Sequence, residues 1–346
     1  MSERGGAGRI LVAAPGFRNG SLFNETSRDN VMEPWVELRD RLAERGYAFE
    51  TADDKVVRGS DRVIIWDWAG GARPASRLTR LKRRIRGATE RAADELYADC
   101  RRAGLADRMV FIIGEPPTVS AASWNPRIHE LFDVVLTYDD RLVDGSRYHK
   151  YFWPVAANYP KCHVPPLAQR KLLTSISANK SSDALGELYS ARRSAISYFE
   201  AAIPMNFDLY GVGWERPTPE GVVYKSYRCA PANKWDVLPW YRFCLCYENT
   251  DNVPGYVTEK IFDALRCGCV PIYLGAPNVR DYVNPHAFVD RRDFASHGEL
   301  LEFISSVTPE AYAAFADAGR RYLLSDECAK FTSPAFAETV IQALGL

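Results

Sequence analysis

The chain has no surplus charge of either sign: 44 Lys and Arg residues stand against 44 Asp and Glu over 346 positions. A balanced chain exerts no global pull on nucleic acid or an anionic membrane, so nucleic acid is not an expected partner and any anion site has to be built locally. Long apolar runs are missing as well. No window reaches the roughly 18 apolar residues of a membrane span, and the opening MSERGGAGRILVAAPGF is a short run stopped by Pro15 with no small-residue cleavage site. A cytoplasmic protein is expected, with peripheral contact at the inner membrane left open. Histidine is scarce, with His129, His149, His163, His286 and His297 matching no metal-ligand spacing. The eight cysteines include two C-x-C pairs but no C-x-x-C, which argues for reduced, mostly buried thiols and against zinc.

What is present is the composition of a folded protein, 47% hydrophobic and 25% charged, at a length beyond which single cores stop growing. Short apolar runs alternate with longer amphipathic ones, the pattern of an α/β fold with a helix-covered parallel sheet. In the first half, strands are expected at Arg9 to Ala13, Arg62 to Trp66, Arg108 to Ile113 and Asp133 to Thr137. Helices are expected at Met32 to Glu44 and Ser76 to Arg102. Four prolines in Tyr151 to Pro166 then interrupt the pattern and read as a linker. Beyond it come a strand at Lys171 to Ile176, a helix from Ala184 to Ala202, a strand at Phe207 to Tyr210 and a turn at Gly211-Val212-Gly213. A strand at Arg242 to Tyr247, a helix from Thr258, a strand at Val270 to Leu274 and closing helices complete the second half. The expected domains are 1–160 and 166–330, with 331–346 a terminal helix that packs back on the first.

The segment FCLCYENTDNVPGYVTEKIFDALRCGCVPIYLG, Phe243 to Gly275, concentrates the chemistry. An apolar strand runs into a polar loop and then into a helix whose first turn holds Thr258, Glu259 and Lys260. A helix N-terminus offers unpaired N–H groups and the positive end of its dipole, and Lys260 adds a full charge, a combination suited to a diphosphate. Glu259 carries acceptor oxygens for ribose or sugar hydroxyls. On spacing alone the plainer reading, a capped helix with a solvated lysine, is the favoured one, since caps are common. Opening a helix, Lys260 is expected to be removable without loss of the fold.

The runs Tyr247-Glu248-Asn249-Thr250, Tyr256-Val257-Thr258-Glu259-Lys260 and Val270-Pro271-Ile272-Tyr273-Leu274-Gly275 resemble the signature of the α1,3/α1,4-fucosyltransferase family, glycosyltransferase family 10. The likeness continues through Pro277-Asn278, Asn284-Pro285 and Phe288-Val289-Asp290 to Asp293-Phe294. It is strongest over 241–294 and bacterial in style. The resemblance implies two facing Rossmann-like domains with an interdomain cleft (GT-B), and an enzyme that moves fucose from GDP-fucose to the 3-OH of N-acetylglucosamine or a related sugar on an oligosaccharide or glycolipid, with inversion. A GT-B transferase using another GDP-sugar and a non-catalytic bilobed binding protein are the rival readings.

By the same resemblance the donor contacts are Arg193, Asn249, Tyr256, Glu259 and Lys260. Arg192 competes with Arg193 for the phosphates, and helical facing favours Arg193. Glu115, in Phe111-Ile112-Ile113-Gly114-Glu115-Pro116-Pro117, stands at a strand's C-terminal edge, where open α/β sheets bind ligands, and takes the family's catalytic acidic role. Glu130 and Asp133 are the nearby competitors, the first in a helical stretch and the second opening a strand. No Asp-x-Asp occurs, so no metal is expected, and no cofactor besides the donor. The charged run from Arg73 to Arg102, arginine-rich over Arg73 to Arg91 and balanced by Glu90, Asp94, Glu95 and Asp99, reads as a solvated helix face, with docking of an anionic lipid-linked acceptor as the second reading.

Overall fold

A computed structural model of the chain describes residues 7–53, 55–68 and 93–346. Asp54, the arginine-rich run Arg73 to Arg91 and most of the helix expected over Ser76 to Arg102 lie outside the described residues. The chain divides into two compact units, one formed by Met1–Ser27, Met32–Phe152 and Ser333–Leu346, the other by Arg28–Val31 and Trp153–Thr332. The division thus falls ahead of the boundary expected at 160 to 166. The Pro-rich segment is packed onto the second unit: Val155 donates its N–H to Phe331 O at 2.7 Å, the Trp153 ring meets Tyr256 edge-on at 5.9 Å, and Arg266 bonds the Ala156 carbonyl.

In the first unit the strands are β1 (Gly8–Ala13), β2 (Tyr47–Thr51), β3 (Arg62–Trp66), β4 (Met109–Ile112), β5 (Val134–Thr137) and β6 (Tyr148–Lys150), in the order β2-β1-β3-β4-β5-β6, all parallel. Central strands covered on both faces require unbroken apolar runs, as in the fully buried Val63, Ile64 and Ile65 of β3 and all of β4. The helix Glu33–Glu44 buries Trp35, Leu38 and Leu42 along one stripe, with Pro34 in its first turn. Trp35 meets Phe336 of the terminal helix Ser333–Ala343 edge-on, ring centres 5.5 Å apart. Strands β2 and β6 escape a reading for apolar runs because they lie on the two edges: β2 alternates in burial and β6 is the polar tripeptide Tyr-His-Lys.

The second unit contains β7 (Lys171–Ile176), β8 (Phe207–Tyr210), β9 (Tyr241–Tyr247), β10 (Val270–Leu274) and β11 (Val289–Asp290), ordered β11-β10-β9-β7-β8 and again parallel throughout. Counted from its own first strand, this unit repeats the strand order of the other. Both therefore have a topological switch point, between β1 and β3 in one and β7 and β9 in the other, where doubly wound sheets open a crevice beyond their carboxyl ends. The helix Tyr189–Ala202 begins later than Ala184, because Glu187 turns its carboxylate back onto the N–H groups of Tyr189 and Ser190 at 2.7 and 3.0 Å and so ends the preceding loop. Among the described residues no helix is long and apolar enough to cross a membrane.

Candidate functional site

The site in the second unit is built at the carboxyl end of β9. Glu248 follows that strand directly and is 0% exposed. Its N–H donates to Leu274 O on neighbouring β10 at 2.8 Å. Its carboxylate accepts the Thr258 N–H at 2.8 Å, the Thr258 hydroxyl at 2.7 and 2.9 Å, and the Lys260 ammonium at 3.0 Å. A side chain at Gly275 would bring its Cβ within 2.4 Å of Glu248 Cγ, which is why glycine directly follows β10. Thr258 is the N-cap residue of the helix Glu259–Arg266, yet its hydroxyl serves Glu248 and caps no backbone N–H. The reading of Thr258 as an ordinary cap is thereby corrected, and the first turn keeps donors that no side-chain cap occupies.

A second acid–base layer lies beside the first. Lys234 bonds Asp263 at 2.7 Å and Glu259 Oε1 at 3.3 Å, and Lys260 approaches the same Glu259 oxygen at 3.7 Å. Asp263 also accepts the Tyr159 hydroxyl. The loop holding Lys234 is fixed by Asp29, whose carboxylate accepts the Lys234 N–H at 2.6 Å. Burial opposes each of these charges, but the two lysines outweigh it at Glu259 and hold its carboxyl below the ordinary range, while Glu248 and Glu259 outweigh it at Lys260 and raise the ammonium. At Asp263 burial wins over Lys234 and the carboxyl is raised. A pocket bordered by Ser177, Lys234, Cys246, Tyr247, Lys260 and Asp263 opens on these groups, between the ends of β7 and β9.

The structure does not bring all five expected donor contacts together. Lys260 and Glu259 stand in the cluster; Asn249 follows Glu248 and takes the Leu188 N–H on its carbonyl at 3.2 Å; Tyr256 is buried and its carbonyl accepts the Tyr273 hydroxyl at 3.2 Å. Arg193 turns away, bonding Lys180 O at 2.9 Å and Glu220 at 2.8 Å. Arg192 instead reaches the end of β9: it is 4% exposed and donates from one nitrogen to the carbonyls of Tyr247 and Glu248 at 2.7 and 2.9 Å. The facing that favours Arg193 is wrong for the folded helix, because the buried stripe runs Arg192, Ala195, Ile196, Phe199. Glu248, Lys234 and Asp263 are site groups that the sequence reading leaves without a role.

In the first unit Glu115 lies three residues beyond β4, half-buried. Its N–H is held by Asp67, the residue directly after β3, at 3.0 and 3.2 Å, and its carbonyl accepts the Trp124 indole N–H at 2.9 Å. Burial, with the Glu115 charge adding to it, pushes the Asp67 carboxyl up to about 7 against the hydrogen bonds it accepts. Among the described residues no cluster of three or more His, Cys, Asp or Glu is arranged to hold a metal ion.

Two α/β units, each on a parallel sheet with the same switch-point order, are the architecture of the GT-B fold. Solved structures share that fold: an α1,3-fucosyltransferase matches 100% of this chain and 92% of its own at a TM-score of 0.60 and 16% identity. A DNA-modifying β-glucosyltransferase matches 98% and 100% at 0.57 and 9%. At such identities the likeness is one of fold. A sequence match adds to the likeness of fold: residues 172–328 match Glycosyltransferase family 10 (fucosyltransferase) C-term.

Over 77 residues the chain is 47% identical to an Arabidopsis thaliana α-(1,4)-fucosyltransferase, covering 22% of this chain and 19% of the plant protein. Over 72 residues it is 46% identical to the α-(1,3)-fucosyltransferase FucT of Helicobacter pylori, covering 21% and 15%. A longer match, 28% over 208 residues, joins it to α-(1,3)-fucosyltransferase 7 of Bos taurus, covering 58% and 53%. The chain therefore spans from about a sixth to about half the length of these curated relatives.

Proposed function

We propose that the protein is an inverting glycosyltransferase that moves fucose from GDP-fucose to a hydroxyl of a glycan acceptor, the 3-OH of N-acetylglucosamine or a related sugar. The observation that carries the reading is the buried Glu248–Thr258–Lys260 cluster at the end of β9, inside the family 10 segment. Glu248 holds Lys260 in place without a substrate, and Arg192, with three N–H donors besides those of the nitrogen used on β9, adds a second cation. Together with the first turn of Glu259–Arg266 they suit a diphosphate. As the sugar–phosphate bond breaks, the leaving GDP gains charge, and cations fixed in advance stabilise that charge more than they stabilise the bound donor. Glu259, with Oε1 engaged by lysines, keeps Oε2 for a hydroxyl of ribose or sugar.

Glu115 is the general base: it takes the proton of the acceptor hydroxyl as that oxygen attacks the anomeric carbon from the face opposite GDP. The test is Glu115→Gln, which keeps shape and removes charge. Transfer is expected to fall by about 10²- to 10⁴-fold with GDP affinity unchanged by calorimetry. A Gln variant as fast as wild type at saturating substrates removes Glu115 from this role. Running GDP-mannose beside GDP-fucose tests the donor sugar, since preference for mannose would replace fucose in the proposal.

A further inference from the structure

Asp67 is strained and desolvated in one place. Its backbone lies in the left-handed region, φ 57°, which non-glycine residues adopt at a cost, and it is 5% exposed. Its N–H donates to Ile112 O at 2.9 Å, tying the exit of β3 to β4. Its Oδ1 accepts the N–H groups of both Gly114 and Glu115, at 3.1 and 3.2 Å, and Oδ2 accepts Glu115 again at 3.0 Å. Gly114 completes the close fit, because a Cβ there would fall 2.3 Å from the Trp66 ring. With Trp124 on its carbonyl, the Glu115 peptide is gripped at both ends, and the direction in which its side chain leaves the backbone is set by groups from three segments.

We propose that Asp67 is a positioning residue for the base, aiming Glu115 by clamping its peptide N–H and strengthening it by placing a second carboxylate beside it. The proposal rests on Glu115 being the base. An amide or hydroxyl could accept the same N–H bonds with less desolvation, so a carboxyl that burial pushes up to about 7 points to a use for the charge. Among the described residues the groups facing it are Glu115 beyond β4, the Ser123 hydroxyl, Tyr138 beyond β5 and Tyr151 beyond β6, with Asp139 behind Tyr138. The Glu115 charge raises the Asp67 carboxyl, and by the same repulsion ionised Asp67 makes Glu115 a stronger base.

The experiment compares Asp67→Ala, Asp67→Asn and Glu115→Gln by GDP release from GDP-fucose, with an N-acetylglucosamine-containing disaccharide or water as acceptor, alongside GDP affinity and melting temperature. Misplacing a reacting group by about 1 Å is worth roughly 10²-fold, so Asp67→Ala is expected to lose about that factor in kcat with GDP affinity intact. Asp67→Asn, which keeps an acceptor for both N–H groups, is expected to recover most of the rate while the acidic limb of its kcat–pH profile moves to lower pH. A purely structural residue would change melting temperature without moving that limb. Wild-type kcat in Asp67→Ala beside a slow Glu115→Gln overturns the proposal alone, as does an Asn variant as slow as the Ala variant. A fast Glu115→Gln removes the base, and this proposal with it.

Discussion

Truncating Lys260 to alanine separates ligand binding from stability, and the structure reverses the expectation that the fold would not notice. Lys260 is 21% exposed on its side chain and Glu248, 3.0 Å away, is 0% exposed. Deleting the ammonium strands a buried carboxylate that still accepts two donors from Thr258. Breaking a fully buried pair costs about 3–5 kcal/mol; with Thr258 retained and Lys260 partly solvated, about 2–3 kcal/mol is expected. For a unit of this size each kcal/mol is worth about 2–4 °C, so the melting temperature should fall by about 4–12 °C. The double variant Lys260→Ala/Glu248→Gln removes the stranded charge and should regain most of that loss while still failing to bind GDP. Calorimetric unfolding and GDP titration on the same samples decide it. An unchanged melting temperature refutes the buried pair as a stabilising contact, and GDP binding restored in the double variant refutes Lys260 as a phosphate ligand.

Arg192→Ala should weaken GDP binding by roughly tenfold or more, the scale of one charge-assisted hydrogen bond. Arg193→Ala should leave it unchanged in the same titration, since Arg193 is spent on Glu220 and Lys180. Because side-chain cations and a helix end face the proposed diphosphate, turnover should persist in excess EDTA; activity lost and then restored by a divalent cation would contradict that.

The sheets were legible where burial on both faces forces continuous apolar runs: Lys171–Ile176 and Val270–Leu274 are strands at the bounds the sequence suggests, and β3 is the expected RVIIW. The edge strands β2, β6 and the two-residue β11 lack that signal, whereas β8, also at an edge, carries the buried run Phe207 to Leu209 and matches its expected bounds. Arg192 was visible only as a competitor, because a buried arginine breaks the rule that the apolar stripe marks the inner face; Ala195, Ile196 and Phe199 carried the right phase. Lys234 had no signal, lying in an irregular stretch and acquiring meaning only from Asp263 and Glu259, 29 and 25 residues away. Asp67 did have one: like Glu115, it is an acid just past an apolar strand.

The titration of Asp67 makes its placement measurable through stability. In the unfolded chain the carboxyl returns to the ordinary 3.8, whereas in the fold burial raises it to about 7. The folded state therefore binds more protons than the unfolded state between those values, and with ν_U below ν_N the stability falls as pH rises through that window. Three units of difference correspond to an upper bound of ~4 kcal/mol, fully expressed above pH 7 and absent below about pH 4. Asparagine at the same position has nothing to titrate. The melting temperature of Asp67→Asn relative to wild type should thus climb steadily from pH 5 to pH 8, and a difference that stays flat across that range would mean Asp67 is either solvated or held charged by a group other than those facing it.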